Sequence, residues 1–351
     1  MFSCENSLLK VELKKFSENI LLVLDVNIDV EGFMEKRRLG NTDLMVTPVG
    51  FGVLTVGNTQ MNLPVDEGAG VLRYALERGI NFLDTAQYYE TYPYIKKALK
   101  GTNYEPVIAS KCLDLSYDAM SAAIVEAQIE MDRDVIDIFL LHEVRHDRDF
   151  LNRAGAWECL NDAKAKGIVR AIGVSTHHVD VALAMADVPE CDVLFPLINF
   201  QSLGIRKGGG LGTKEEMEVA IAKNVAKDRG VFLMKAFGGG NLTGSYQEAL
   251  DYAYGIPGAA SVMIGFGKPG EVDDIFDYLE GRMPRDYAPD VSFKVIHVDQ
   301  GDCEGCGNCV TRCPNHAIFI NEKGLAEIDE SKCLTCGYCA PVCPARAIIM
   351  W

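Results

Sequence analysis

Two short segments decide how this chain reads: Ile136-Asp137-Ile138-Phe139-Leu140-Leu141-His142 and Ala171-Ile172-Gly173-Val174-Ser175. Each is an apolar run that ends in a polar residue, and the amphipathic stretch Asn152–Lys166 lies between them. Runs this short and this rich in Ile, Val, Leu and Phe read as strands buried on both faces, joined by a covering helix. Working outward, the same unit recurs at intervals of about thirty residues. Strands are predicted at Val49–Gly52, Asn81–Thr85, Val107–Lys111, Ile136–His142, Ala171–Ser175, Val193–Asn199, Val231–Lys235 and Ser261–Gly265. Helices are predicted at Glu67–Arg78, Tyr94–Leu99, Tyr117–Met131, Asn152–Lys166, Val179–Ala186, Lys214–Asp228, Tyr246–Tyr254 and Glu271–Leu279. Eight such pairs are the count of a (β/α)8 TIM barrel. A doubly wound open sheet would leave two edges, and no G-x-G-x-x-G follows the first strand. Ahead of the barrel, Lys36–Leu39 and Met45–Val49 flank Gly40-Asn41 and read as a β-hairpin.

Composition narrows the partners. The net charge of −16 argues against nucleic acid and against anionic membrane surfaces, both of which attract basic patches. The run Ile20–Val26 is interrupted by Asp25 and is too short to span a bilayer. We expect residues 1–33 to be an N-terminal extension created by an early start site, with Met34 as the true first residue. A chain of 351 residues with 12 cysteines is not a small disulfide scaffold, so a reducing, cytoplasmic setting is expected.

The cysteines concentrate in the tail. Cys303, Cys306, Cys309 and Cys313-Pro314 form C-x2-C-x2-C-x3-C-P, and Cys333, Cys336, Cys339 and Cys343-Pro344 repeat it thirty positions later. A zinc module is the alternative reading of eight thiols, but the doubled C-P runs resemble a bacterial two-cluster ferredoxin. That resemblance implies a small C-terminal α+β domain with two [4Fe-4S] clusters. One is held by Cys303, Cys306, Cys309 and Cys343, the other by Cys333, Cys336, Cys339 and Cys313, because the fourth cysteine of each run serves the other cluster. The expected division is therefore a 1–33 extension, a barrel over 34–280, a linker over 281–294 and the cluster domain over 295–351.

Catalytic groups of such barrels stand at the C-terminal ends of the strands. There the chain places Asp84, followed by Tyr88-Tyr89, then Lys111, His142 and Ser175-Thr176. A tyrosine beside an ammonium that a carboxylate holds in place, with a histidine facing the same oxygen, can protonate and polarise a carbonyl. In this reading the lysine lowers the phenol's pKa.

The barrel resembles the aldo/keto reductase superfamily. The resemblance rests on Arg38–Thr42 with Val49–Gly52, on Leu83–Tyr89, on Ala109–Lys111, on Asp137–His142 and on Gly167–Ser175. It assigns the proton donor to Tyr89 rather than Tyr88, and the supporting roles to Asp84, Lys111 and His142. It also implies NADP or NAD, contacted by Ser175, Thr176, Gly238, Gly239 and Lys268. Phe195, Met234 and Lys235 stand where the family has other cofactor contacts. The partners implied are a small aldehyde or ketone and a redox protein for the clusters. The competing reading is an electron-transfer protein whose barrel has a weakened nicotinamide site. His177-His178 and Cys112 are read as structural, and Gly208-Gly209-Gly210 as a mobile loop over the site.

Overall fold

The computed structural model describes residues 34–350 apart from Thr59, 291–294, Pro314, 334–338, Pro341 and Arg346. The extension expected at 1–33, part of the expected linker and Cys336 lie outside the described residues. The eight predicted strands are present as β1 (Val49–Gly52), β2 (Phe82–Asp84), β3 (Val107–Cys112), β4 (Ile136–Leu141), β5 (Val169–Thr176), β6 (Val193–Pro196), β7 (Gly230–Leu233) and β8 (Ser261–Ile264). They are parallel throughout and the barrel closes where β8 meets β1, with Val262 opposite Val49 and Ile264 opposite Phe51. The helices fall where the periodicity predicts them, and two, Tyr117–Met131 and Tyr246–Tyr254, have the predicted bounds at both ends.

Strand alternation sorts the side chains into two cores. Inside the barrel lie Phe82, Val107, Ala109, Ile138, Leu140, Ala171, Val193, Phe195 and Phe232. Phe195 and Phe232 stack with centroids 4.1 Å apart and fill the axis. The predicted hairpin, Arg37–Arg38 paired with Met45–Val46, carries Leu39, Leu44 and Val46 into this same core. The opposite strand face packs against the helices through Leu83, Ile108, Phe139, Leu141, Ile172 and Val174.

At Gly173 the inward register leaves no space: a Cβ there would overlap the carbonyl of Val193 on the neighbouring strand. Backbone atoms cannot move aside as a flexible side chain can. We therefore expect Gly173→Ala to destabilise the barrel by about 3 kcal/mol, the upper end of ordinary overpacking, read as a lower urea midpoint at unchanged slope. An unchanged midpoint would refute the packing argument.

The glycines at 208–210 do not form the loop expected from sequence. Arg206–Lys207 and Gly210–Leu211 pair as a short antiparallel hairpin, and Gly208 takes the turn's positive φ of 53°. In the tail, Ile296–Val298 pairs with Ile348–Met350, Ile318–Ile320 pairs with Ala326–Ile328, and Asn308–Arg312 is a single helical turn. Among the described residues no helix is long and apolar enough to cross a membrane.

Candidate active site and cluster domain

The inward register continues past the apolar core and sets the site. Along β2 the inward positions run Phe82, Asp84; along β3 they run Val107, Ala109, Lys111. Along β4 they run Ile138, Leu140, His142, and along β5 Ala171, Gly173, Ser175. The same period of two that packs the axis thus delivers four polar side chains to one end of the barrel.

Lys111 and Asp84 are 1% and 6% exposed, so neither charge could stand alone. The ammonium Nζ donates to both carboxylate oxygens, at 2.8 and 3.0 Å, and to the Thr85 carbonyl at 2.6 Å. Burial draws the lysine's pKa down and the aspartate's up, while their mutual attraction opposes both shifts. We expect Asp84→Asn to cost about 3–5 kcal/mol, because it strands a buried cation, and Asp84→Asn with Lys111→Met to recover most of that loss. Thermal unfolding of the three proteins checks it. Equal losses in the single and double variants would contradict it.

Tyr89 follows β2 on the 3-10 turn Gln87–Tyr89. Its hydroxyl lies 3.3 Å from His142 Nε2, and the Lys111 Nζ sits 4.6 Å from its ring centroid. Tyr88 is 48% exposed and lines the outer part of the same cavity, with its hydroxyl toward Gly301 rather than toward His142. The structure thus brings Asp84, Tyr89, Lys111 and His142 together. It differs from expectation in one electrostatic respect. Burial first, then the carboxylates of Asp84, Asp299 and Asp302, raise the Tyr89 pKa well above its usual value. The phenol is held protonated. Burial and then Lys111 hold His142 well below its ordinary pKa, as the neutral imidazole.

Tyr89, Lys111 and His142 line a cavity of about 410 Å³, with Asp84 behind Lys111. Its opposite wall was invisible to sequence reasoning, because Asp299, Gly301 and Asp302 of the cluster domain form part of it. Asp302 meets Lys235 Nζ at 3.3 Å. Asp302 also hydrogen-bonds Glu143, whose carboxyl rises to about 7 through burial and the Asp302 charge. Glu143 and Lys235 both adopt left-handed backbone conformations, with φ of 52° and 58°, strain of the kind that gathers at functional sites. His177 joins Glu143 and Asp302 within 4.8 Å, whereas the backbone of His178 bridges to Arg206. The adjacent histidines therefore do not act as a pair. Cys112 is 1% exposed and its Sγ lies 2.9 Å from Asp114 Oδ2, consistent with a structural thiol.

The cofactor residues expected from sequence are scattered. Ser175 lines the large cavity, and its Oγ accepts from Glu143 N at 2.8 Å. Thr176 is fully buried; its hydroxyl donates to Val144 O and accepts from His178 N, so it faces neither cavity. Lys268 is the N-cap residue of the helix Pro269–Leu279 and lines neither cavity, although Gly265, three residues before it, lines the smaller one. Gly238, Gly239 and Gly240 all have positive φ, a backbone able to turn amides toward an anion. Yet Ile349 of the cluster domain lies against Gly239, its Cγ2 2.7 Å from where a Cβ would be. The space left beside this loop is about 180 Å³, below the roughly 300–1,000 Å³ of small-molecule pockets. This space adjoins the larger cavity, with which it shares Leu54, Tyr89, Met234, Lys235 and Asp299, so the obstacle to a dinucleotide here is Ile349 against the glycine loop.

The tail thiols do fit a cluster. Cys309 is buried, and its thiol is raised by burial and then by the nearby sulfurs of Cys343, Cys306 and Cys303. Backbone amides aim at sulfur as well: Gly305 N and Ala326 N at Cys303 Sγ, 3.4 and 3.3 Å, and Ala317 N at Cys313 Sγ, 3.2 Å. Such N–H···S contacts tune iron–sulfur potentials. Cys339 and Cys343 are buried in the same apolar cluster as Ile296, Val298, Ala347 and Ile348.

Residues 48–255 match the model of the aldo/keto reductase family, more than half of the chain, and residues 302–347 match a 4Fe-4S dicluster domain. The chain belongs to the aldo/keto reductase family and carries a 4Fe-4S dicluster domain behind the barrel. Among curated proteins it is 28% identical over 166 residues to L-galactose dehydrogenase of Arabidopsis thaliana, covering 44% of this chain and 52% of that protein. It is 30% identical over 240 residues to the chloroplastic pyridoxal reductase of the same plant, covering 59% and 61%. The chain thus spans about half to three fifths of the length of these relatives. Among solved structures, an aldo-keto reductase from Bacillus halodurans in its holo form superposes with a TM-score of 0.59 at 20% identity, covering 70% of this chain and 91% of that one. An aldo-keto reductase of Bombyx mori in complex with NADP gives 0.54 at 17% identity, covering 70% and 88%. Both likenesses concern the fold.

Proposed function

We propose that this protein is an oxidoreductase that reduces the carbonyl of a small, hydroxylated aldehyde or ketone, with Tyr89 as proton donor. The observation that carries this reading is the Tyr89 hydroxyl 3.3 Å from His142 Nε2, above the Lys111–Asp84 pair, in a cavity of about 410 Å³. The substrate oxygen would take hydrogen bonds from the Tyr89 hydroxyl and the neutral His142 ring, so negative charge developing on it meets two placed donors. As the alcohol forms, the phenol proton moves to that oxygen, and the Lys111 ammonium stabilises the phenolate left behind. A phenol whose pKa is raised keeps its proton at neutral pH but gives it up less readily, so the neighbouring Lys111 ammonium has to offset that cost as the phenolate forms.

The hydroxylated class is supported by the far wall. Glu143, Arg145, His177, Lys235, Asp299 and Asp302 offer donors and acceptors to a polyol chain. A site so lined penalises a ligand that leaves those groups unpaired. The names of L-galactose dehydrogenase and of D-threo-aldose 1-dehydrogenase from Pseudomonas point to the same class. Reduced nicotinamide, NADPH or NADH, is the hydride source in this reading. The eight tail cysteines would hold two [4Fe-4S] clusters, which in this reading dock a redox protein or support the fold and take no part in the hydride transfer.

The test is isotopic. Nicotinamide deuterated at C4 should place one deuterium on the substrate's carbonyl carbon. Product carrying only solvent hydrogen at that carbon would sink hydride transfer and support the second reading, in which the clusters relay electrons. That second reading has one observation of its own: Asp302 lines the cavity and Cys303 is the next residue.

A further inference from the structure

We infer that the cluster domain and a dinucleotide compete for the same face of the barrel, so that nucleotide binds only after the domain has left the barrel mouth. The inference rests on the nicotinamide reading above.

The domain touches the barrel where a dinucleotide would lie, and it does so in two places. At the glycine loop, Ile349 fills the space that the missing Cβ of Gly239 opens, and Asn241 Nδ2 donates to Ile348 O at 3.0 Å. The loop's special backbone is thus spent on an isoleucine rather than on a phosphate. At the cavity wall, Asp302 sets a carboxylate on Lys235 at 3.3 Å, where the family places a nicotinamide contact.

A side-chain rotation at Ile349 would leave the backbone contact of Ile348 O with Asn241 in place. Ile349 is paired with His297 within the sheet formed by Ile296–Val298 and Ile348–Met350. That strand is tied to the buried Cys309 and Cys343 through the domain's own apolar cluster. Displacing Ile349 therefore means moving the domain as a body. A further attachment lies away from both cavities: Arg206 donates to Pro344 O at 2.7 Å and pairs with Glu304 at 3.3 Å.

When only the undocked state binds nucleotide, the apparent dissociation constant is the intrinsic one divided by the undocked fraction. Weakening the attachment at Arg206, which lines neither cavity, should then tighten binding without altering any group that meets nucleotide or substrate. The experiment is an anaerobic fluorescence titration of the cluster-loaded full chain with NADPH and with NADH. Wild type is compared with Arg206→Ala and, separately, with Ile349→Ala, and iron content verifies that the clusters are retained. Dissociation constants about fivefold to tenfold lower in both variants are expected, the shift produced by an equal rise in the undocked fraction. Wild-type and variant affinities equal within twofold would overturn the competition and leave the nicotinamide reading standing. If neither nucleotide binds wild type or variants below millimolar concentration, the nicotinamide reading falls and the competition with it.

Discussion

Tyr89→Phe is expected to lower carbonyl reduction by about 10²–10⁴-fold, the usual contribution of a positioned acid, while leaving the folded protein and its ligand affinities nearly intact. The substitution removes one oxygen from a ring whose contacts with Lys111 and His142 otherwise remain. The loss should therefore fall on kcat rather than on KM, the signature of an interaction made chiefly in the transition state. The pH profile carries a second expectation. A phenol pushed up by burial and by Asp84 keeps its proton throughout the neutral range, so reduction should not fall through loss of that proton below about pH 10, the unperturbed tyrosine value. Tyr88, which lines the cavity but makes no hydrogen bond to His142, is the control, and Tyr88→Phe should lower kcat far less than Tyr89→Phe. A Tyr89→Phe enzyme retaining a tenth or more of wild-type kcat would remove this residue from the proton-donor role.

The second large effect concerns the tail. Cys309→Ala and Cys343→Ala, although thirty-four positions apart, should each lose the same cluster, because the Cys309 thiol lies in the electrostatic reach of Cys343, Cys306 and Cys303. Each variant should hold about half the wild-type iron, and after dithionite reduction both should show the same residual EPR signal. Cys339→Ala should leave the other signal, since the resemblance to two-cluster ferredoxins pairs it with Cys333, Cys336 and Cys313. Cluster binding is folding energy for a domain this small, so each variant should also melt earlier than wild type. If Cys343→Ala and Cys339→Ala leave the same signal, the crossed ligation is wrong. Wild-type protein loaded with zinc instead of iron would remove the clusters altogether.

How much of this was legible beforehand can be traced residue by residue. The eight strands were readable because a strand buried on both faces must be apolar along its whole length, and β1, for example, matches at both ends. The grouping of polar residues at the barrel mouth was readable because Asp84, Lys111 and His142 are polar interruptions at the ends of such runs. Tyr89 was distinguished from Tyr88 only through family spacing, which the geometry of the 3-10 turn now accompanies. The direction of the Tyr89 shift was not readable. A neighbour list names Lys111, but burial and the summed field of Asp84, Asp299 and Asp302 set the sign. The hairpin at 206–211 was missed because its strands are two residues each, too short for alternation to register.

Sequence alone was enough to determine a closed eight-strand barrel, a group of four polar residues at its mouth and a double cysteine run behind it. Those features depend on local period and spacing, which a linear chain records directly. Only the tertiary structure could decide that the cysteine domain forms a wall of the cavity at the barrel mouth, that Asp302 pairs with Lys235 and that Ile349 fills the glycine loop. Asp302 and Lys235 are sixty-seven positions apart, and Ile349 and Gly239 are farther apart still. Their meeting depends on how two separately packed cores dock, and no period or spacing within either one encodes it.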